Sequence, residues 1–408
     1  MKDITERFLT YVAIDTQSKA NQTQFPSTEK QKDLLRLLAE EMKAMGISDV
    51  SIDEYGYVYG SIPSNMDKKV PAIGFIAHAD TVEDMPGNDI KYRIVKNYDG
   101  KDIVLNEEKG IVMHTAEFPH MLNYVGQDLI VTDGTTLLGA DDKAGITEIL
   151  YAAEYMLEHP EFKHGDIKIA FTPDEEVGRG VDFFDVKKFG ADFGYTMDGG
   201  GLGELSFENF NACSGFVTIH GTNSHPGSAK NVMVNSILVA MEFSAMLPVH
   251  ERPESTEVYE GFSHLNNLNG NVEETKMIYM IRDHDRQKLE EKKARFVKAA
   301  EYLNFKYGEG TVEVVLKDSY SNMREKIEPC MELIDNAKAA MESLGITPIV
   351  KPIRGGTDGA RLSYMGLPCP NLFTGGHNSH GRYEYIPVQS MEKGAQVILK
   401  IVELYAGK

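Results

Sequence analysis

The stretch Ile73-Gly74-Phe75-Ile76-Ala77-His78-Ala79-Asp80 frames the reading of the whole chain. An unbroken apolar run of this length reads as a strand buried on both faces, as a parallel sheet requires. It leads straight into an imidazole and a carboxylate, and open α/β sheets bind ligands at the carboxyl ends of their strands. One histidine so placed is more often a hydrogen-bonded structural group than a ligand. Here the pattern recurs. Residues 167–171 run into Thr172-Pro173-Asp174-Glu175-Glu176, and residues 194–197 run into Asp198. Residues 371–373 run into the stretch 375–381, which holds His377 and His380, and Gly139-Ala140-Asp141-Asp142-Lys143 opens a helix.

Outward from these points, strand and helix signals alternate. Strands are expected at 58–62, 72–77, 167–171 and 194–197. Helices are expected after Pro26, with Thr28 and Gln31 as a capping box and Gly46 as the stop, and at 143–157 and 181–189. Such alternation predicts an α/β layer built on a mainly parallel sheet. After about residue 208 the texture changes to few strands (216–221, 276–283, 311–317) and long helices (229–247, 285–303), the pattern of a small α+β domain. The α/β texture returns with a helix at 332–344, strands at 348–352 and 371–373, and a helix at 390–405. The architecture expected is therefore an α/β catalytic domain made of residues 1–207 and 321–408, with a smaller α+β domain, residues 208–320, inserted between them.

The composition narrows the function. The chain has 408 residues and a net charge of −20 without a basic cluster, which excludes partners that demand concentrated Lys and Arg, such as nucleic acid and anionic membrane surfaces. It opens Met1-Lys2-Asp3-Ile4 with no apolar leader and has no apolar run of bilayer length, so a soluble, cytoplasmic protein is expected. Cys213, Cys330 and Cys369 are scattered and build no disulfide framework.

If the acidic and histidine strand ends converge, the carboxylates repel one another, and a metal cation is the natural compensating charge. Mixed His and carboxylate donors suit zinc, with cobalt or manganese as substitutes. Asp141, at a helix start, is placed to bridge two metals; its simpler reading is a helix N-cap. Other chemistries fail on spacing. Gly199-Gly200-Gly201-Leu202-Gly203-Glu204 has Glu204 where a dinucleotide fingerprint needs its third glycine, no Walker A sequence occurs, and position 377 is His where a nucleophile elbow needs Gly.

The runs His78-Ala79-Asp80, Gly139 to Gly145, Pro173-Asp174-Glu175-Glu176-Val177-Gly178 and Asp198-Gly199-Gly200 resemble the metal motifs of the M20 family of co-catalytic zinc peptidases. The likeness extends over essentially the whole chain. It includes the strings 201–211, Arg354-Gly355-Gly356-Thr357-Asp358-Gly359-Ala360 and Asn371-Leu372-Phe373-Thr374-Gly375-Gly376, which are closest to the tripeptide aminopeptidases of that family. The resemblance implies two Zn2+ ions, one on His78, Asp141 and Asp198 and the other on Asp141, Glu176 and His380. It implies Asp80 orienting the His78 ring, Glu175 as general base, and tripeptides as substrates. It also implies that His225, in the inserted domain, reaches toward the active site, and that this domain serves as a lid and supports a homodimer. Asp at position 198 favours a free-amino-terminal substrate over an N-acyl one; the alternatives are an M20-type deacylase or dipeptidase and a metal-binding scaffold without catalysis. A chain this acidic needs a local cation to hold a peptide carboxylate, and Arg282 and Arg354 are the expected clamp. Their competing fate is an ion pair with Asp283, Asp285 or Asp358.

Overall fold

Residues 73–78 sit near the middle of an eight-stranded sheet in the computed structural model, which describes residues 1–407. In spatial order the strands are Ser48–Ile52, Val58–Ile62, Ile167–Thr172, Ile73–His78, Phe193–Gly199, Asn371–Phe373, Glu204–Ser206 and Ile349–Val350. The middle four are mutually parallel, and Val58–Ile62 and Glu204–Ser206 flank them antiparallel. Every side chain of Ile73–His78 is buried, as an apolar run covered on both faces requires. His78 pairs with Thr172, and Leu372 with Met197, so the carboxyl ends of the four parallel strands finish level with one another. The polar residues beyond those ends are thereby brought to one rim.

Helices cover both faces. On one, Ala140–Glu158 and Val388–Ala406 pack together over Phe8, Val12, Leu138, Ala144 and Met391. On the other, Tyr57, Tyr59, Phe184, Phe189 and Leu362 form a second apolar layer. The chain divides into two compact units. The larger is Met1–Phe207, Glu325–Lys351 and Thr357–Lys408, and the smaller is Glu208–Arg324 with Pro352–Gly356.

The smaller unit is an antiparallel sheet in the order Phe262–Gly270, Glu274–Asp283, Asn211–His220 and Val312–Tyr320. Helices Ser236–Ala245 and Arg286–Tyr307 close one face over Val217, Ile219, Phe243, Met277, Tyr279 and Phe296. Residues 321–324 and Pro352–Gly356, which the sequence alone assigns to the larger domain, group here. The Ile353 amide donates to the Glu208 carbonyl (2.8 Å), which ties that segment to the smaller unit.

Several local expectations are corrected. The helix expected at 181–189 is only Val186–Phe189, capped by Asp185, because the Tyr57 and Tyr59 hydroxyls take the amides of Phe183 and Asp185. The helix expected at 229–247 is Ser236–Ala245, started by the Asn235 side chain. No capping box forms at Thr28 and Gln31: Thr28 Oγ1 donates to the Gln17 carbonyl, Gln31 turns inward to Asp174, and the helix begins at Gln31. The strand Phe262–Gly270 carries Asn266, Asn267 and Asn269, residues of low strand preference, and exists through its pairing with Glu274–Asp283.

Candidate metal centre and active site

The rim of parallel strand ends brings His78, Asp80, Asp141, Glu175, Glu176, Asp198 and His380 together, all within the larger unit. His78 ends its strand with Nδ1 3.0 Å from the Asp80 backbone carbonyl. That contact fixes the proton on Nδ1 and leaves Nε2 free as a donor atom. Nε2 faces Asp141 Oδ1 at 3.0 Å and Asp198 Oδ1 at 3.5 Å. On the other side of Asp141, His380 Nε2 lies 3.2 Å from Oδ2 and 3.1 Å from Glu176 Oε1. Asp141 thus stands between two imidazoles, one on each carboxylate oxygen.

The Asp80 carboxylate has a wider task than steadying a ring. Its Oδ1 is 3.4 Å from His78 Nδ1, farther than its own carbonyl, while Oδ1 and Oδ2 accept the amides of Glu175 (2.9 Å) and Glu176 (3.2 Å). Asp174, held in the left-handed region at φ 56 by bonds from Ser27 and Gln31 to its carboxylate and by one from its own amide to Gln31, turns the chain so that the two glutamates follow.

The electrostatics are those of a cation site. Burial pushes the Glu175 carboxyl well up, aided by Asp198 and Asp358, and pushes Glu176 up to about 7, aided by Asp141. The contacts with Asp141 and Glu176 raise His380 to about 11. Asp141 is held low despite its burial, because the His380 and His78 rings face its two carboxylate oxygens. So much negative charge in one place demands a positive one, supplied either by protons on imidazole or by a metal. The donor atoms of His78, Asp141 and Glu176, and those of His78, Glu175 and Asp198, lie within 4.8 Å of one another. Glu176 Oε1 is buried and takes no hydrogen bond, although His380 Nε2 is near it. Two donor atoms that approach without bonding suit a shared cation. These residues therefore fit a divalent metal.

His377 is not part of this group. Its ring stacks on His120 (4.7 Å) and Tyr385 (5.0 Å), its Nε2 pairs with the Tyr124 hydroxyl at 2.7 Å, and burial drives it down to about 3. His225, Arg282 and Arg354 belong to the smaller unit. His225 is exposed, and its Nδ1 accepts the Gly227 amide, which leaves the ring proton on Nε2. Arg282 donates to the carbonyls of Cys213 and Ile281 and lies over Tyr320. Arg354 donates to the carbonyls of Val258, Glu260 and Thr256 and lies over Phe210 and Phe262. Among the described residues neither guanidinium pairs with a carboxylate, so the competing ion pairs do not form.

Three holding groups escape sequence reasoning. Glu384, fully buried, accepts the amides of Leu138 (2.7 Å), Gly139 (2.7 Å) and Asp141 (3.1 Å), and burial lifts it to about 7. Asp142 accepts the His78 amide at 3.1 Å. Asp358, lifted by burial to about 7, accepts the Thr172 hydroxyl at 3.0 Å, and a Cβ at Gly180 would stand 2.3 Å from it. A carboxylate inside the apolar run Tyr383-Glu384-Tyr385-Ile386 was the one available signal.

Comparison with known proteins defines the class. Residues 132–404 match the model of peptidase family M20/M25/M40, and the chain belongs to that family. Its full-length relatives include the Peptidase T of Alkaliphilus oremlandii, 60% identical over 408 residues with 100% of both chains covered. The Peptidase T of Caldanaerobacter subterraneus is 61% identical over the same span and coverage. Among solved structures, aminopeptidase PepT from Bacillus cereus has a TM-score of 0.78 at 24% identity, covering 100% of this chain and 98% of its own. A tripeptidase from Staphylococcus aureus gives the same score and coverage at 22% identity. These two carry the fold: an α/β unit with a smaller α+β unit inserted.

Proposed function

We propose that the protein is a two-metal aminopeptidase that removes the N-terminal residue of tripeptides. The observation that carries this is Asp141 held between His78 and His380, one imidazole at each carboxylate oxygen, with Glu175 alongside. His78, Asp141 and Asp198 would hold one cation, and Asp141, Glu176 and His380 the other, zinc being the metal that these donors suit best, with cobalt or manganese as substitutes. Bound there, the pair supplies the Lewis acidity that polarises a peptide carbonyl and makes a water a nucleophile near neutral pH. Glu175 has its backbone fixed by Asp80, and burial raises its proton affinity, so as a carboxylate it would take the water proton and pass it to the leaving amine. Glu176 is engaged with His380 and is the ligand of the two.

His225 offers an Nε2–H donor of the kind that steadies a developing oxyanion. Arg282 and Arg354 are cations without anionic partners among the described residues and supply recognition of the C-terminal carboxylate. A cytoplasmic, peptide-catabolic role fits an acidic chain in which, among the described residues, no helix is long and apolar enough to cross a membrane. The test is metal analysis combined with turnover of di-, tri- and tetrapeptides and an N-acyl amino acid. Tripeptide preference with about two equivalents of metal is the expected result; preferential deacylation would overturn the reading.

A further inference from the structure

The smaller unit contains a cavity of about 290 Å³ that none of the chemistry above uses. It lies between the end of helix Ser236–Ala245, the segment that follows, and the strands Phe262–Gly270 and Glu274–Asp283. That volume is at the small end of ligand pockets, which run from roughly 300 to 1,000 Å³, so it has room for one small molecule.

Its polar groups are left open. Arg252 lines the cavity, and among the described residues its guanidinium makes no ion pair and no side-chain hydrogen bond. The acid nearest in sequence, Glu251, is committed to Lys292 (3.1 Å) and Arg295 (2.6 Å). Glu254, also in the lining, has no cationic partner among the described residues. Tyr279 is 2% exposed, and its hydroxyl, close to Ser244 and to the Arg252 charge, forms no hydrogen bond of good geometry. Buried hydroxyls are nearly always satisfied, so this one marks a place where a ligand atom or water belongs. Leu247, Pro248 and Leu265 make the apolar wall.

A cation, an anion, a buried donor and an apolar wall around one small space define a zwitterion with a hydrocarbon side chain. We propose that this cavity binds one free apolar α-amino acid, its carboxylate on Arg252 and the Tyr279 hydroxyl, its ammonium on Glu254, and its side chain against Leu247 and Leu265. The choice of an amino acid among zwitterions rests on the proposed peptidase reading, in which such molecules are products; the open polar groups do not depend on it.

The test is a titration of L-leucine into the metal-loaded full chain. One saturable, Arg252-dependent site is expected at millimolar leucine, weakened about tenfold or more in Arg252→Gln and measurably in Tyr279→Phe, as loss of an ion pair and of a hydrogen bond from an uncharged donor to the ligand carboxylate predict. Leucinamide and N-acetylleucine, each lacking one charge, should bind more weakly than leucine. Tripeptide kcat/KM and thermal melting of Arg252→Gln should match the parent, which separates this site from product binding at the metals. Leucine binding indifferent to Arg252→Gln, equal binding of N-acetylleucine, or no saturable binding at all overturns the assignment. Tripeptide turnover without the Arg252-dependent site sinks this inference alone, whereas that site without tripeptide turnover sinks the peptidase reading alone.

Discussion

Glu384→Gln is a one-atom change remote in sequence from the acidic motifs, yet its hydrogen bonds make it a change to the proposed metal centre. The carboxylate accepts two amides on Oε2 and the Asp141 amide on Oε1. An amide can keep its oxygen toward Leu138 and Gly139, but its NH2 then faces the Asp141 N–H, donor against donor. Above pH 7, where Glu384 is ionised, one charge-assisted bond is lost, the other two become neutral, and one buried donor is left unsatisfied. At about 1.5–3 kcal/mol for a bond to a charged group, the net cost is on the order of 2–4 kcal/mol. For a unit of this size that lowers the melting temperature by roughly 5 °C. The Asp141 backbone also loses its anchor, so both proposed metal sites should loosen; outer partners of metal ligands typically change affinity or activity by about 10–100-fold. Calorimetric titration of Zn2+ into the purified variant, with kcat and KM measured separately, reads this directly. The drop should appear in metal affinity at both sites and in kcat, with KM for tripeptide nearly unchanged. If Glu384→Gln binds two metals as tightly as the parent while still melting lower, the carboxylate stabilises the fold only and does not place Asp141.

Further outcomes follow from the same geometry. Glu175→Gln should keep its metal and lose roughly 10²–10⁴ in kcat, while Glu176→Gln should lose metal; equal metal loss in both would end that division of roles. Arg282→Ala or Arg354→Ala should lower kcat/KM for a tripeptide and narrow its advantage over the C-terminal amide, checked by parallel turnover of acid and amide; an unchanged advantage places the clamp elsewhere. His377, held near 3 by burial, is neutral in the folded protein, whereas the unfolded chain protonates it below its ordinary value of 6.5. Its contribution to stability is therefore intact above pH 6.5 and declines as the pH falls toward 3. His377→Tyr should flatten the acid limb of denaturant stability relative to the parent, and identical acid limbs would show that His377 does not set it.

What the sequence made legible and what it hid divide along a physical line. The parallel strands and the groups at their ends were readable because an apolar run and the polar residue that terminates it are neighbours in sequence: His78 after residues 73–77, Glu175 and Glu176 after residues 167–171, Asp198 after residues 194–197. The groups that hold those ligands come from elsewhere in the chain. Glu384 reaches Asp141 across 243 residues, Asp80 fixes Glu175 across 95, and Gln31 fixes Asp174 across 143. No local period records such pairings, and propensity does not distinguish a buried carboxylate that accepts amides from one in solvent. Arg282 and Arg354 show the complementary limit: their type was informative, but their partners are backbone carbonyls and aromatic rings, which leave no charge pattern to read. A chain could therefore retain every strand-end motif and still lose this centre through a single change at position 384. Ligand motifs by themselves identify the family; whether a member can fix Asp141 between two imidazoles depends also on Glu384, a carboxylate that those motifs do not contain.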